Sequence, residues 1–257
     1  VYGDYRQNLS SHWSARQPQH QSPAELAAMR HHLHLAARAR EAEQRAHWVK
    51  NAERNAALWA ASIPADDAVR SYLAARGLAQ WTLPDCIRQH PGLAYWHADD
   101  NGELHMLGRY PAMLTPIVSG GKLLAIHRTY LGDGCKANVP TPKKLTAAAG
   151  PLAGACIPLA APHGGVLGIA EGIETAAAAS LGSGLPVVAA YCANALVGVA
   201  FPRGIERLVI FADHDPAGKQ AAATLAQRAT RAGLTSKTLT PSKPGSDWAD
   251  VWLEGMQ

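Results

Sequence analysis

Apolar and polar positions fall into three rhythms along this chain, and each rhythm predicts a different kind of structure. Residues 161–257 alternate short apolar runs with alanine-rich stretches of helical length. Strands are expected at 166–170, 186–191, 207–212 and 236–240. Helices follow them: one ending near Gly182, a short one at 193–199, one opened by Pro216 and Gly218 and closed at Gly233, and a last one at 247–254. The third strand is apolar throughout after its first residue, as a buried parallel strand should be. Strand–helix alternation of this kind predicts a small parallel sheet with helices on both faces.

Residues 63–160 read differently. A short helix over 66–76 ends at Gly77, in the position where a left-handed residue closes a helix. Residues 81–92 are rich in turn formers. Strands are expected at 93–97, 113–118 and 122–130, divided by the turns DDNGE and SGGK. Residues 1–62 form the third stretch. An irregular polar lead-in over 1–17 precedes Ser22-Pro23-Ala24-Glu25, a capping box with proline at the first helical position. A long helix then runs to about Ala61, uninterrupted by Pro or Gly. Its apolar face is thin, with Leu26, Met29 and Leu33 on one side and Trp48, Leu58 and Trp59 later. Such a helix is a solvated spacer or packs through one end. The fold class expected is α/β: a parallel sheet with flanking helices, preceded by a mixed α+β basic subdomain and a long N-terminal helix.

Composition narrows this picture. A chain of 257 residues has room for one large domain or two small ones. Its net charge of +4 permits nucleic acid binding without demanding it. Cys86, Cys135, Cys156 and Cys192 include no CxxC pair, which argues against a zinc site or a disulfide framework and for a reducing cytoplasm. No apolar run approaches the ~18 residues of a membrane span, so no membrane partner is expected, and no signal peptide opens the chain. It starts with Val1 rather than Met, as a piece of a longer protein would. Six histidines (His12, His20, His31, His32, His34 and His47) crowd the N-terminal arm, but the RHHLH run lacks the i,i+4 pairing of a helical zinc site. They read as a solvated face.

The chemistry sits where strands end. The strand at 166–170 runs into Glu171-Gly172, that at 207–212 into Asp213-His214-Asp215, and Asp247 and Asp250 follow later. Ligands of a parallel sheet bind at the carboxyl ends of its strands, so these carboxylates meet at one edge. Clustered carboxylates repel one another unless a divalent cation lies between them, and an oxygen-only set suits Mg²⁺ or Mn²⁺. Strand alternation aims Asp213 and Asp215 the same way and His214 the other, so His214 takes no catalytic role. In the middle stretch, Lys122, Arg128, Lys136, Lys143 and Lys144 face a single acid, Asp133. This is either a phosphate-binding surface or an ordinary basic one.

The ordered trio (EG after a strand, DxD after a second, a late acidic pair behind Pro-Gly) resembles the Toprim domain over roughly residues 165–254. Toprim domains occur in bacterial and phage primases, topoisomerases and some nucleases. The stretch HRTYLGDGCKANVPTPKKL resembles the part of bacterial primase cores just before Toprim, although Ala137 stands where an aromatic usually follows the lysine. Glu174 stands where many primases carry aspartate, which leaves it the place of an outer ligand. The resemblance implies Glu171 as metal ligand or general base and Asp213, Asp215 and Asp247 as metal ligands. It implies a primase-type enzyme that joins ribonucleoside triphosphates on a single-stranded DNA template, in phage or plasmid replication. The basic residues would grip the template, and a helicase or zinc-binding domain would lie outside this chain. A Toprim nuclease and a non-catalytic single-strand-binding accessory protein are the alternatives. A topoisomerase would need a longer chain.

Overall fold

In the computed structural model of the protein, residues 2–4, 9–11 and 22–256 are described. Most of the polar lead-in, with His12 and His20, lies outside them. Within it, β1 (Tyr2–Asp4) and β2 (Leu9–Ser11) pair as an antiparallel hairpin, where irregular chain was expected. The chain divides into two compact units, Val1–His47 and Trp48–Gln257.

Helix α1 (Pro23–Ala60) is a single run of 38 residues with Asn55 its one buried side chain. The capping box forms as the sequence dictates: Ser22 N–H donates to Glu25 Oε2 at 2.8 Å and Glu25 N–H to Ser22 Oγ at 3.3 Å. Within the second unit the helix end is anchored by amides. Asn51 donates to Ala148 O at 2.9 Å, and Asn55 to Leu124 O and Ala147 O. Leu58 and Trp59 pack against Tyr95, Tyr130 and their neighbours. Packing through one end is thus how this portion of the helix is held.

Next come β3 (Ile63–Pro64), α2 (Asp67–Ala75), β4 (Arg88–Ala98), β5 (Leu104–Ser119), β6 (Lys122–Tyr130) and β7 (Lys143–Leu145). The strands form an antiparallel sheet in sequence order. Strands β4 and β5 are much longer than the pattern predicted. Pro91 and Gly92 read as chain breaks, yet register shifts between His90 and Leu93 and between Tyr95 and Trp96 absorb them as bulges. The far end of this ribbon carries exposed Trp96, Leu104, Met106 and Leu107, so no buried face marks it as strand. Strand β7 was not expected at all, because KKL carries no apolar alternation. It forms by pairing with β6, Thr129 opposite Lys143 and Arg128 opposite Lys144.

The remaining chain follows the predicted alternation closely: β8 (Val166–Ala170), α3 (Ile173–Ser183), β9 (Val187–Ala189), α4 (Ala193–Gly198), β10 (Arg207–Phe211), α5 (Pro216–Arg231), β11 (Thr235–Leu239) and α6 (Trp248–Glu254). The strands are parallel, ordered β11-β10-β8-β9. Period-two alternation splits their side chains into two layers. Val209 and Phe211 join Ala176, Ala177 and Trp248 on one face, while Leu208 and Ile210 join Leu196, Ala222 and Leu225 on the other. The first layer also includes Tyr72, Leu73, Met113 and Ile117, so one core runs continuously from the antiparallel sheet to the parallel one. No described helix is long and apolar enough to cross a membrane.

Candidate active site

In the β8–β10 register Ala170 lies level with Phe211. Glu171, one residue beyond Ala170, and Asp213, two beyond Phe211, therefore leave the sheet along the same edge. Gly172 is the N-cap of α3, Asp215 of α5 and Asp247 of α6. Asp215 Oδ1 accepts from Gly218 N–H at 2.6 Å. Asp247 and Asp250 form a reciprocal capping box, with bonds of 2.9 and 3.1 Å, and Thr175 Oγ1 donates to Asp247 Oδ2 at 3.4 Å. Gly218 is required sterically: an added Cβ would lie 2.9 Å from Asp213 O. That contact seats the start of α5 on the Asp213 backbone. At Gly172 an added Cβ would meet nothing closer than 3.4 Å, so packing alone does not demand glycine there.

Of the four predicted ligands, Glu171, Asp215 and Asp247 all act on Asp213. Burial pushes the Asp213 carboxyl up to about 7, helped by the charges of Glu171, Asp247, Asp215 and Asp250. Burial and then Asp215 raise Glu171, while the Ala193 amide and Lys143 oppose them. Asp213 Oδ1 is buried and has no hydrogen-bond partner among the described residues. A buried acceptor without a donor, ringed by carboxylates, is a poor resting arrangement and a good half of a cation site. The donors are all oxygens, so the set fits Mg²⁺ or Mn²⁺. Among the described residues the cluster whose ligand atoms all lie within 4.8 Å is Asp99, Glu103 and His105, exposed at the β4–β5 turn. The carboxylates around Asp213 stand further apart, as like charges do.

The basic residues divide between two faces, because Lys143 and Lys144 are adjacent on a strand. Lys143 Nζ lies 3.1 Å from Glu174 Oε2, and Glu174 Oε1 accepts from the Tyr72 hydroxyl at 2.5 Å. Burial alone would raise Glu174, but Lys143 and the Tyr72 hydroxyl outweigh it and hold the carboxyl down at about 2. Lys136 is lowered by burial and by Lys143 and Arg76, and it feels Glu174 and Asp247 as counter-charges. Arg76, Lys136 and Lys143 therefore form a cationic group at the flank of the acidic one. Sequence reasoning passed over Arg76, since it stands outside the charge run; its one signal was its place before Gly77 at a helix end. His127 is buried in the same neighbourhood, and burial and then Lys143 push it down to about 4.

On the other face, Lys144 Nζ lies 4.1 Å from the Tyr95 ring centroid and donates to Trp96 O. Arg128 donates to Leu145 O at 2.7 Å. Tyr95 meets the Tyr130 and Tyr110 rings edge-on. Lys122 is exposed at the opposite end of β6 from Arg128, on the order of 20 Å away along the strand. The five cations are thus not one strip.

The late acidic pair, the EG and the DxD at one sheet edge match a family model for the Toprim domain over residues 166–256. Residues 166–256 form a Toprim domain. Ahead of this Toprim domain, residues 49–157 match a family described as a domain of unknown function (DUF7146). No curated protein matches the chain. Among solved structures the chain is similar to a DnaG primase catalytic domain bound to ssDNA, with a TM-score of 0.51, 16% identity and coverage of 80% of this chain and 77% of that one. It is also similar to the RNA polymerase domain of Mycobacterium tuberculosis primase in complex with double-stranded DNA, with a TM-score of 0.47, 16% identity and coverage of 81% and 77%. For the primase fragment of the bacteriophage T7 primase-helicase protein the TM-score is 0.41, with 17% identity and coverage of 63% and 62%. The chain spans about half of a Pseudomonas aeruginosa primase domain, 52% of its length. The likeness to the DnaG primase catalytic domain, at a TM-score above 0.5 over 80% of this chain, shows a primase-like fold.

Proposed function

We propose that this chain is a primase-type nucleotidyltransferase, which joins ribonucleoside triphosphates into a short RNA on a single-stranded DNA template. The observation that carries the reading is the convergence of Glu171, Asp215, Asp247 and Asp250 on Asp213, whose carboxyl they help drive up to about 7. A site so costly to hold without a counter-charge is expected to serve one. Glu171, Asp213, Asp215 and Asp247 would hold Mg²⁺ or Mn²⁺. When bound, such a cation neutralises charge developing on a leaving pyrophosphate and favours ionisation of an attacking hydroxyl.

The chain's own groups account for the rest. Arg76, Lys136 and Lys143 would take the triphosphate beside the acidic group, since cations next to a metal site match a ligand with several phosphates. Glu174 keeps Lys143 in place from the buried side. Glu171, raised by burial, would serve as a metal ligand or general base at that edge. Arg128 and Lys144 would hold the template backbone, and the aromatic ring beneath Lys144 restrains its head group. Service in phage or plasmid replication, with a helicase or zinc-binding partner outside this chain, belongs to the same proposal.

A single gel assay tests it, with single-stranded DNA, Mg²⁺ or Mn²⁺, and ribonucleotides present or omitted. Products that appear only with ribonucleotides and disappear in Asp213→Asn support the reading. DNA cleavage without ribonucleotides would replace it by a nuclease. DNA binding with no reaction in any condition would leave an accessory protein.

A further inference from the structure

His214 stands between two of the carboxylates, yet its imidazole is engaged elsewhere. Nδ1 lies 2.6 Å from Pro241 O. A carbonyl only accepts, so Nδ1 carries the hydrogen. The main chain of His214 makes two further bonds: its N–H donates to Ser246 O at 2.9 Å, and its carbonyl accepts from Gly245 N–H at 2.8 Å. Residue 214 therefore holds the segment 241–246 at both ends, the far end through backbone and the near end through the ring. This segment contains Pro241 and Pro244, has Gly245 at φ 80°, and forms no helix or strand. Its other side-chain links stay within it or run to α6: Ser246 Oγ donates to Lys243 O at 2.7 Å, and Lys243 Nζ lies 2.9 Å from Glu254 Oε1. The next residue is Asp247.

We infer that His214 is a positioning residue for Asp247, holding the segment before it so that its carboxylate faces Asp213. The turn that ends β10 thus organises the acidic group twice, once through its two aspartates and once through the histidine between them. The role rests on the divalent-cation reading of these carboxylates, and it needs no titration of the ring.

The test uses the whole chain at pH 8, where Asp213 is ionised, and Mn²⁺ binding followed by electron paramagnetic resonance. His214→Ala is expected to weaken Mn²⁺ binding by about tenfold, the usual effect of losing a group that orients a ligand. In His214→Asn the amide Nδ2 stands near the place of Nδ1 and donates likewise, so binding should return close to the native level. In an Asp247→Asn background His214→Ala should change little, because the two act through one path. Native affinity in His214→Ala, no recovery in His214→Asn, or an equal loss without Asp247 would each overturn the inference. Hydrogen exchange of the Gly245 and Asp250 amides in metal-free protein reads the anchor without any cation. Faster exchange in His214→Ala, restored in His214→Asn, is expected, and unchanged exchange overturns it. Should the native protein take up no Mn²⁺, the metal reading fails and exchange still decides the anchor.

Discussion

Lys143 Nζ lies 3.1 Å from Glu174 Oε2, joining the last strand of the antiparallel sheet to the first helix of the Toprim domain. The two partners are unequal: the Lys143 side chain is 37% exposed and that of Glu174 only 5%. Removing the lysine leaves a buried anion without its ion-pair partner. Lys143→Ala should therefore cost about 3 kcal/mol, the order found when one member of a buried ion pair is deleted. Lys122→Ala, at the exposed start of β6, should cost under about 0.5 kcal/mol. Urea unfolding of both variants checks this, and equal stabilities would reduce the Lys143–Glu174 contact to a surface pair.

Asp213 makes a prediction about charge. In the metal-free protein its ionised form is disfavoured, so Asp213→Asn should leave stability unchanged or raise it, while Mn²⁺ uptake falls steeply. Reaction rate should drop at least about 10²-fold, since stabilising the charge that develops at a reacting phosphate is usually the largest part of catalysis. Thermal unfolding in chelator, beside the gel assay, separates the two effects. A destabilised but fully active variant would contradict both. DNA binding should persist, because it runs through the cations.

The same carboxyl sets a pH dependence whose sign is opposite to that of an ordinary acid. Its value rises from 3.8 to about 7 on folding, so between those values the folded chain holds more proton than the unfolded one. Stability from this group declines as pH rises from about 4 to about 7. Glu174, held down at about 2, contributes stability above its ordinary 4.5 and loses it below. His127, held at about 4 against an ordinary 6.5, withdraws stability as pH falls between those values. Saturating Mg²⁺ should abolish the Asp213 decline and leave the two acid-side losses. Denaturation midpoints across pH 3 to 8, with cation and with chelator, show whether the Asp213 decline disappears.

Arg128 and Lys144 pair across β6 and β7 on the face away from Glu174. If they meet a single strand through phosphates, replacing each by alanine should weaken binding similarly for all sequences. The slope of log affinity against log salt should shrink by roughly 0.7 per contact. Fluorescence anisotropy at several salt concentrations measures it. Unchanged slopes would confine both residues to holding Leu145, Trp96 and Tyr95.

The local pattern was enough for the Toprim half. Runs such as Val166–Ala170 and Arg207–Phe211 are apolar because both faces of a parallel sheet are covered, and each ends where the carboxylates begin. Glycines and prolines at the helix ends carried the rest, so Glu171, Asp213, Asp215 and Asp247 were legible as one group from the chain alone. The ribbon of β4 and β5 was not legible, because bulges carry Pro91 and Gly92 within a strand and its exposed end buries no face. Nor was β7, which exists only through pairing with β6. That pairing is a long-range event, and it decided the matter of greatest consequence. Two adjacent lysines that look equivalent in sequence are sent to opposite faces, Lys143 to the buried Glu174 and Lys144 to the Tyr95 ring. Arg76 joins Lys136 and Lys143 for the same reason. Periodicity reports which way a side chain leaves its own element, whereas the partner it meets depends on how separate elements pack.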